Sequence, residues 1–62
     1  MTPITDLDLS IRTIMALKAC RIETLEELLE YKVETLQKFR NIGKKSLIEI
    51  EAYLHEKGLK LN

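Results

Sequence analysis

Asn41-Ile42-Gly43-Lys44-Lys45-Ser46-Leu47 reads as a short turn that runs straight into a helix. Gly43 frees the backbone at the turn and can act as the helix N-cap. Ile42, just before it, is placed to staple onto Leu47 and fix the angle of entry. Lys44, Lys45 and Ser46 then fall in the first turn, where amides lack internal partners and the helix dipole is positive. Two lysines there run against the usual acidic preference. Free N–H groups, two ammoniums and a hydroxyl at one helix start suit an anion, phosphate foremost. The rest of the sequence reads as the scaffold that presents this turn.

Downstream, the pattern predicts a helix from Lys44 to about Lys57. Its apolar positions Leu47, Ile48, Ile50, Ala52, Tyr53 and Leu54 are broad enough to make it the central core helix. Gly58 is the expected stop, and Leu59 and Leu61 form a tail that folds back. Upstream, Val33 to Phe39 reads as a helix of two turns with Val33, Leu36 and Phe39 facing in. Before it, Thr24 caps another short helix, with Glu27 completing a capping box and Leu25, Leu28 and Leu29 as the buried face. Ser10 caps a first helix running to about Cys20, in which Ile11, Ile14, Met15 and Leu17 carry the period. Arg12 and Ala16 lie one turn apart, off the apolar stripe. Pro3 to Leu9 reads as an extended or irregular arm, with Ile4, Leu7 and Leu9 down and Asp6 and Asp8 out. The expected class is all-α: a compact bundle of four to five short helices with a helix–hairpin–helix-like element. One domain spans residues 1–62, with an entry arm (1–9), a helical body (10–58) and a tail (59–62).

The totals support a folded module and exclude several classes. The 62 residues are 45% hydrophobic, enough for one modest core. No apolar run approaches the ~20 residues of a membrane span, and no basic-then-apolar leader opens the sequence. One cysteine and one histidine make neither a disulfide nor an ordinary metal cluster, and no cofactor is expected. The lone Cys20 fits a reducing cytoplasm. Net charge is zero but unevenly spread. Residues 1–37 hold seven acidic and four basic side chains, whereas 38–45 hold Lys38, Arg40, Lys44 and Lys45 with no acid. A basic patch thus surrounds the glycine turn, either as a solvated face or as a seat for a polyanion.

Catalytic readings fail on residue type. A phosphate-binding P-loop needs glycine where Lys38 stands and Ser or Thr where Lys45 stands, and no strand precedes it. Glu26-Glu27 and Asp6-Asp8 read as solubilising surface, His55 as a surface residue near a helix end, and Cys20 as a boundary residue. The protein is expected not to be an enzyme. The constellation that remains is Arg12 with Asn41, Gly43, Lys45, Ser46 and Glu49, with Lys44 at its edge. A glycine turn feeding a helix start can grip phosphates without reading sequence. An arginine packed beside it can enter the narrow minor groove of A-tracts, whose potential is strongly negative. Glu49, one turn beyond Lys45, can orient either cation.

Taken together, Asp6-Leu7-Asp8-Leu9-Ser10-Ile11-Arg12, Leu17-Lys18-Ala19, the stretch 41–47 with Glu49, and Lys57-Gly58-Leu59 resemble the C-terminal domain of the bacterial RNA polymerase alpha subunit. The resemblance runs from Pro3 to about Leu61 without a gap. It implies a helical domain tethered by a linker to the rest of the polymerase, working in the bacterial cytoplasm at the nucleoid. It also implies binding to the minor groove of A/T-rich double-stranded DNA upstream of the core promoter, and contact with sigma factor and activators. By that resemblance Arg12 matches the groove-inserted arginine, and Asn41, Gly43, Lys45, Ser46 and Glu49 match the rest of the DNA surface. Asp6 and Asp8 match the patch facing sigma. Val33, Glu34 and Thr35 correspond to a surface used by some activators. Met15 stands where the family usually has an asparagine, and Ala16 where a cysteine is common. Methionine packs on sugar edges but lacks amide donors and an acceptor, so weaker or less A/T-selective binding is expected. Two rival readings share some of these residues. One is a protein-interaction module that has lost DNA binding, the other a helix–hairpin–helix domain of a DNA-repair protein. The promoter reading requires Arg12 and the 41–46 corner to share one exposed surface.

Overall fold

Ser10, Thr24 and Gly43 each take extended backbone angles immediately before a helix, so the residues read as caps do start the elements. The computed structural model describes residues 1–62. A 3-10 turn, Ile4–Asp6, is followed by α1 (Ile11–Ala19), α2 (Leu25–Leu29), α3 (Val33–Gln37) and α4 (Lys44–Glu56). The only strand-like pairing is a single bridge between Pro3 and Thr24. The fold is a small all-α bundle, as the helical periods indicate.

Helix starts behave as their residues dictate. Thr24 accepts from the Glu27 amide at 3.1 Å while the Glu27 carboxylate accepts from the Thr24 amide at 3.3 Å, a complete capping box. Ser10 Oγ accepts from the Thr13 amide at 3.3 Å. Helix ends are equally well defined. Gly58, at φ 72°, donates to His55 O at 3.1 Å and Leu59 to Leu54 O at 2.8 Å, a Schellman motif. The same pair of bonds closes α1, from Arg21 to Lys18 O (2.9 Å) and from Ile22 to Leu17 O (3.0 Å). There the left-handed position is held by Arg21 at φ 62°, a residue that gives no sign of it in the sequence.

Four expectations are corrected. The entry arm is not extended over its length: Asp6 donates to Pro3 O (3.0 Å) and Leu7 to Ile4 O (3.1 Å). With three residues per turn, that winding puts Ile4 and Leu7 on one side, and both are buried. The third helix stops at Gln37, two residues short of Phe39, which nevertheless packs edge-on against Tyr31 with ring centres 5.9 Å apart. The inner face of α1 is Thr13, Ala16 and Leu17, whereas Ile11 and Met15 are 79% and 62% exposed. In α4, Leu47, Ile50 and Leu54 form the buried stripe, while Ile48 is 60% exposed and Ala52 lies outside. Six apolar positions cannot share one stripe of a single helix.

The core takes one or two residues from every element: Ile4, Leu17, Leu28, Leu36, Ile50 and Leu54 are all essentially inaccessible. Ile22 and Ile42, the isoleucines of the two turns, join them, and Leu47 sits in the same cluster as Ile42. Both ends of the protein are tied down. Leu25 donates to Thr2 O at 2.8 Å, and Glu26 accepts from the Thr2 amide and hydroxyl at 2.9 and 3.1 Å. Those bonds, the backbone one foremost, hold the Glu26 carboxyl below its usual range. Asn62 bonds Tyr31 O and Glu30 O at 3.0 and 3.2 Å. The helix that packs most closely on α4 is α1, and their N-terminal turns meet.

Candidate nucleic-acid interface

The meeting of those two turns is polar. Glu49, on the second turn of α4, accepts from the Ser10 hydroxyl at 2.9 Å, the Thr13 hydroxyl at 2.6 Å and the Ser10 backbone amide. Thr13 Oγ1 is also 3.2 Å from Ser46 Oγ, a hydrogen-bonded pair fully enclosed between the helices. Three donors hold the Glu49 carboxyl below its usual range, the Thr13 hydroxyl contributing most. Sequence reasoning assigns Glu49 a different task, orienting Arg12 or Lys45. Its oxygens are instead occupied by the start of α1.

Above this junction lies a shallow depression lined by Ser10, Arg12, Thr13, Lys45, Ser46 and Glu49, with no apolar residue among them. Arg12 and Lys45 are both exposed. The two cations contributed by different helices therefore border one surface, with Ser46 the other member of the 41–46 corner on it. Ser46 is placed differently from Lys45: its side chain is buried against Thr13, which leaves its backbone amide as the donor without a partner in the protein.

That amide has company. The N–H groups of Lys44, Lys45 and Ser46 have no acceptor within the protein, and the first α4 bond to close is Leu47 N–H to Gly43 O at 3.0 Å. Gly43, as N-cap, has no side chain to fill the gap. Its φ of −76° is open to any residue, so the expectation that glycine frees the backbone there is corrected. A Cβ at Gly43 would meet nothing within 4 Å. Its absence leaves open space in front of three unpaired donors at the positive end of a 13-residue helix.

The other sequence-derived candidates are scattered. Gly43 and Lys44 line a neighbouring hollow with Gln37, Ile42 and Leu47. Asn41 is exposed in the turn before it, and Met15 is exposed three residues after Arg12. Asp6 and Asp8 are exposed at and beyond the 3-10 turn; Glu34 and Thr35 are exposed on α3, with Val33 half-buried. Ser10 and Thr13 were absent from the sequence-derived set, although both line the depression. A threonine inside an otherwise apolar helical face, three residues after a serine cap, was the available signal.

These features define a class, a small all-α module with a cationic, donor-rich surface formed where two helix N-termini meet. The protein belongs to the family of C-terminal domains of the bacterial RNA polymerase alpha subunit, whose model matches residues 1–56. It is similar to the DNA-directed RNA polymerase subunit alpha of Desulforamulus reducens, 48% identical over 58 residues, and of Desulforudis audaxviator, 49% identical over 59. The Phocaeicola vulgatus subunit is 46% identical over 61 residues. These alignments cover 94%, 95% and 98% of the present sequence but only 18%, 19% and 18% of the relatives. It spans under a fifth of their length.

Proposed function

We propose that this domain is a DNA-binding and regulator-docking module of bacterial transcription initiation, seated on the minor groove of A/T-rich DNA and not itself catalytic. One observation carries the reading: Arg12 and Lys45 border a single polar depression together with Ser46, and the amides of Lys44, Lys45 and Ser46 that open α4 have no partner within the protein. Arg12 would enter the groove, where narrow A-tracts concentrate negative potential. Lys45 and the amides of Lys44 to Ser46 would hold the flanking phosphates, which sets register without reading bases. Gly43 lets the DNA backbone come close, Asn41 and Lys44 border it, and Met15 rests beside the sugars.

The exposed carboxylates of Asp6 and Asp8 offer a face for sigma factor, and Val33, Glu34 and Thr35 one for activators. The remaining partner is the rest of the polymerase, joined through a linker, in the cytoplasm. No helix here is long and apolar enough to cross a membrane. Family membership sets the DNA-repair reading aside.

The test is a titration of the labelled domain with an A-tract duplex and with a G/C duplex of equal length. Preference for the A-tract, lost on Arg12→Ala with the helical signal intact, is the expected result. Shifts confined to Asp6, Asp8 and α2 would instead favour a protein-interaction module without DNA binding.

A further inference from the structure

α1 offers two faces that could turn inward. One is the buried set Thr13, Ala16 and Leu17; the other is Ile11, Ile14 and Met15, of which Ile11 and Met15 are mostly exposed. Apolar burial alone leaves the rotation of this helix under-determined, and rotation matters because each residue is offset by about 100° around the axis. What selects the observed face is polar. Thr13 is 1% exposed, and burying a hydroxyl without partners is unfavourable. Only the observed rotation gives it Glu49 and Ser46.

We infer that Ser10, Thr13 and Glu49 are positioning residues for DNA binding: their hydrogen-bonded lock fixes α1 on α4 and so holds the Arg12 guanidinium beside Lys45 and the free amides. The inference rests on the DNA reading above and deepens it. Thr13 adjoins Arg12 in sequence, and its own side chain is sealed between the helices, so it acts through its neighbour. Glu49 is the informative member. A carboxylate on a phosphate-binding surface opposes binding by charge, yet here its oxygens are turned to three donors of α1. A glutamine at this position still accepts from the hydroxyls, but its amide nitrogen cannot accept from the Ser10 N–H.

The test is A-tract affinity measured on the 62-residue protein. Glu49→Gln raises the net charge by one, so a bystander carboxylate predicts tighter binding. The lock predicts binding about tenfold weaker, the equivalent of one charge-assisted hydrogen bond. Thr13→Val should weaken it similarly, Thr13→Ser should restore wild-type affinity, and Thr13→Val with Glu49→Gln should be no weaker than either alone. Ser10→Gly, which keeps a cap-compatible residue, gives a second reading of the lock should Thr13→Val unfold. In an Arg12→Ala background at low salt, Glu49→Gln should no longer weaken the residual binding, because only its charge effect is left. Circular dichroism checks that each variant is folded. Folded Glu49→Gln, Thr13→Val and Ser10→Gly that bind as tightly as wild type, while Arg12→Ala keeps only residual binding at low salt, would overturn the lock and leave the DNA reading standing. Wild-type protein that ignores the A-tract would overturn both.

Discussion

Thr13 Oγ1 donates to Glu49 Oε1 across 2.6 Å, joining the first turn of one helix to the second turn of another 36 residues away. The bond is part of the same cluster that caps α1, because Ser10 gives both its amide and its hydroxyl to the same carboxylate. Helix start, interhelical packing and the placing of Arg12 thus share one acidic side chain.

Acid should loosen this junction. Glu49 and Glu26 both titrate below the usual 4.5 in the folded protein because donors stabilise their charged forms. Once unfolded, each takes up its proton at higher pH than when folded. Between those two values the unfolded state binds more protons, so stability falls as pH falls. The urea midpoint should therefore be steady down to about pH 5 and drop below it. Glu49→Gln should have a lower midpoint at neutral pH and a shallower acid drop. An unchanged pH profile in that variant would show that Glu49 is not held by Ser10 and Thr13.

Ile48 and Ile50 separate two readings of α4. By pattern both belong to its apolar face, but Ile50 is 1% exposed and Ile48 is 60% exposed. Ile50→Ala should cost about 2–5 kcal/mol, and in a domain this small that approaches the whole stability. Ile48→Ala should stay within about 0.5 kcal/mol. Urea unfolding of the two variants checks the helix rotation directly.

Arg21 closes α1 in a left-handed conformation at φ 62°. Glycine adopts that region without the Cβ penalty, so Arg21→Gly should stabilise the protein by about 1 kcal/mol. A gain in the urea midpoint with an unchanged slope is the expected signature. Loss of stability would mean that the Arg21 stem contributes packing that outweighs the strain.

What was legible in the sequence was mostly local. Thr24 with Glu27, Ser10 and Gly58 declared helix boundaries because capping chemistry acts over three or four residues. Met15 and Thr13 show why the helix faces were harder. Hydrophobicity ranks Met15 inside and Thr13 outside, and the reverse holds because Glu49 and Ser46, distant in sequence, partner the threonine hydroxyl. Arg21 was silent because nothing in its residue type signals the left-handed angle it takes just before the buried Ile22. At the site, Arg12 and Lys45 were identifiable by charge. The lock beneath them depends on how two helices rotate against each other, which no window of sequence contains.

Gly43 links fold and function in opposite directions. A Cβ added there meets no atom within 4 Å, and serine is the better N-cap. Gly43→Ser should therefore leave the protein as stable or more stable by a few tenths of a kcal/mol. The new hydroxyl would accept from the Lys45 or Ser46 amide, the donors proposed to hold phosphate, and it would occupy the space in front of them. A-tract affinity should fall about tenfold, as expected for one lost hydrogen bond to a charged group. Equal affinity with improved stability would remove the α4 amides from the DNA contact.

Met15 sets the remaining question, how much of the groove surface survives in this protein. Its side chain is 62% exposed and three residues beyond Arg12, on the outer side of α1. A thioether offers a DNA backbone no strong donor, whereas a carboxamide offers two N–H groups and a carbonyl. Met15→Asn trades an exposed apolar group for a polar one at an uncovered position, so stability should move by less than about 0.5 kcal/mol. If Arg12 seats in the groove as proposed, α1 brings position 15 toward the same strand, and the amide gains a phosphate or sugar partner. Affinity for the A-tract duplex should rise severalfold, by the amount one hydrogen bond to a charged acceptor confers. The gain should vanish in an Arg12→Ala background, because without the inserted guanidinium α1 is not held against the DNA. A gain that persists there would mean that position 15 meets the duplex in some other pose, and the seating of Arg12 would have to be redrawn.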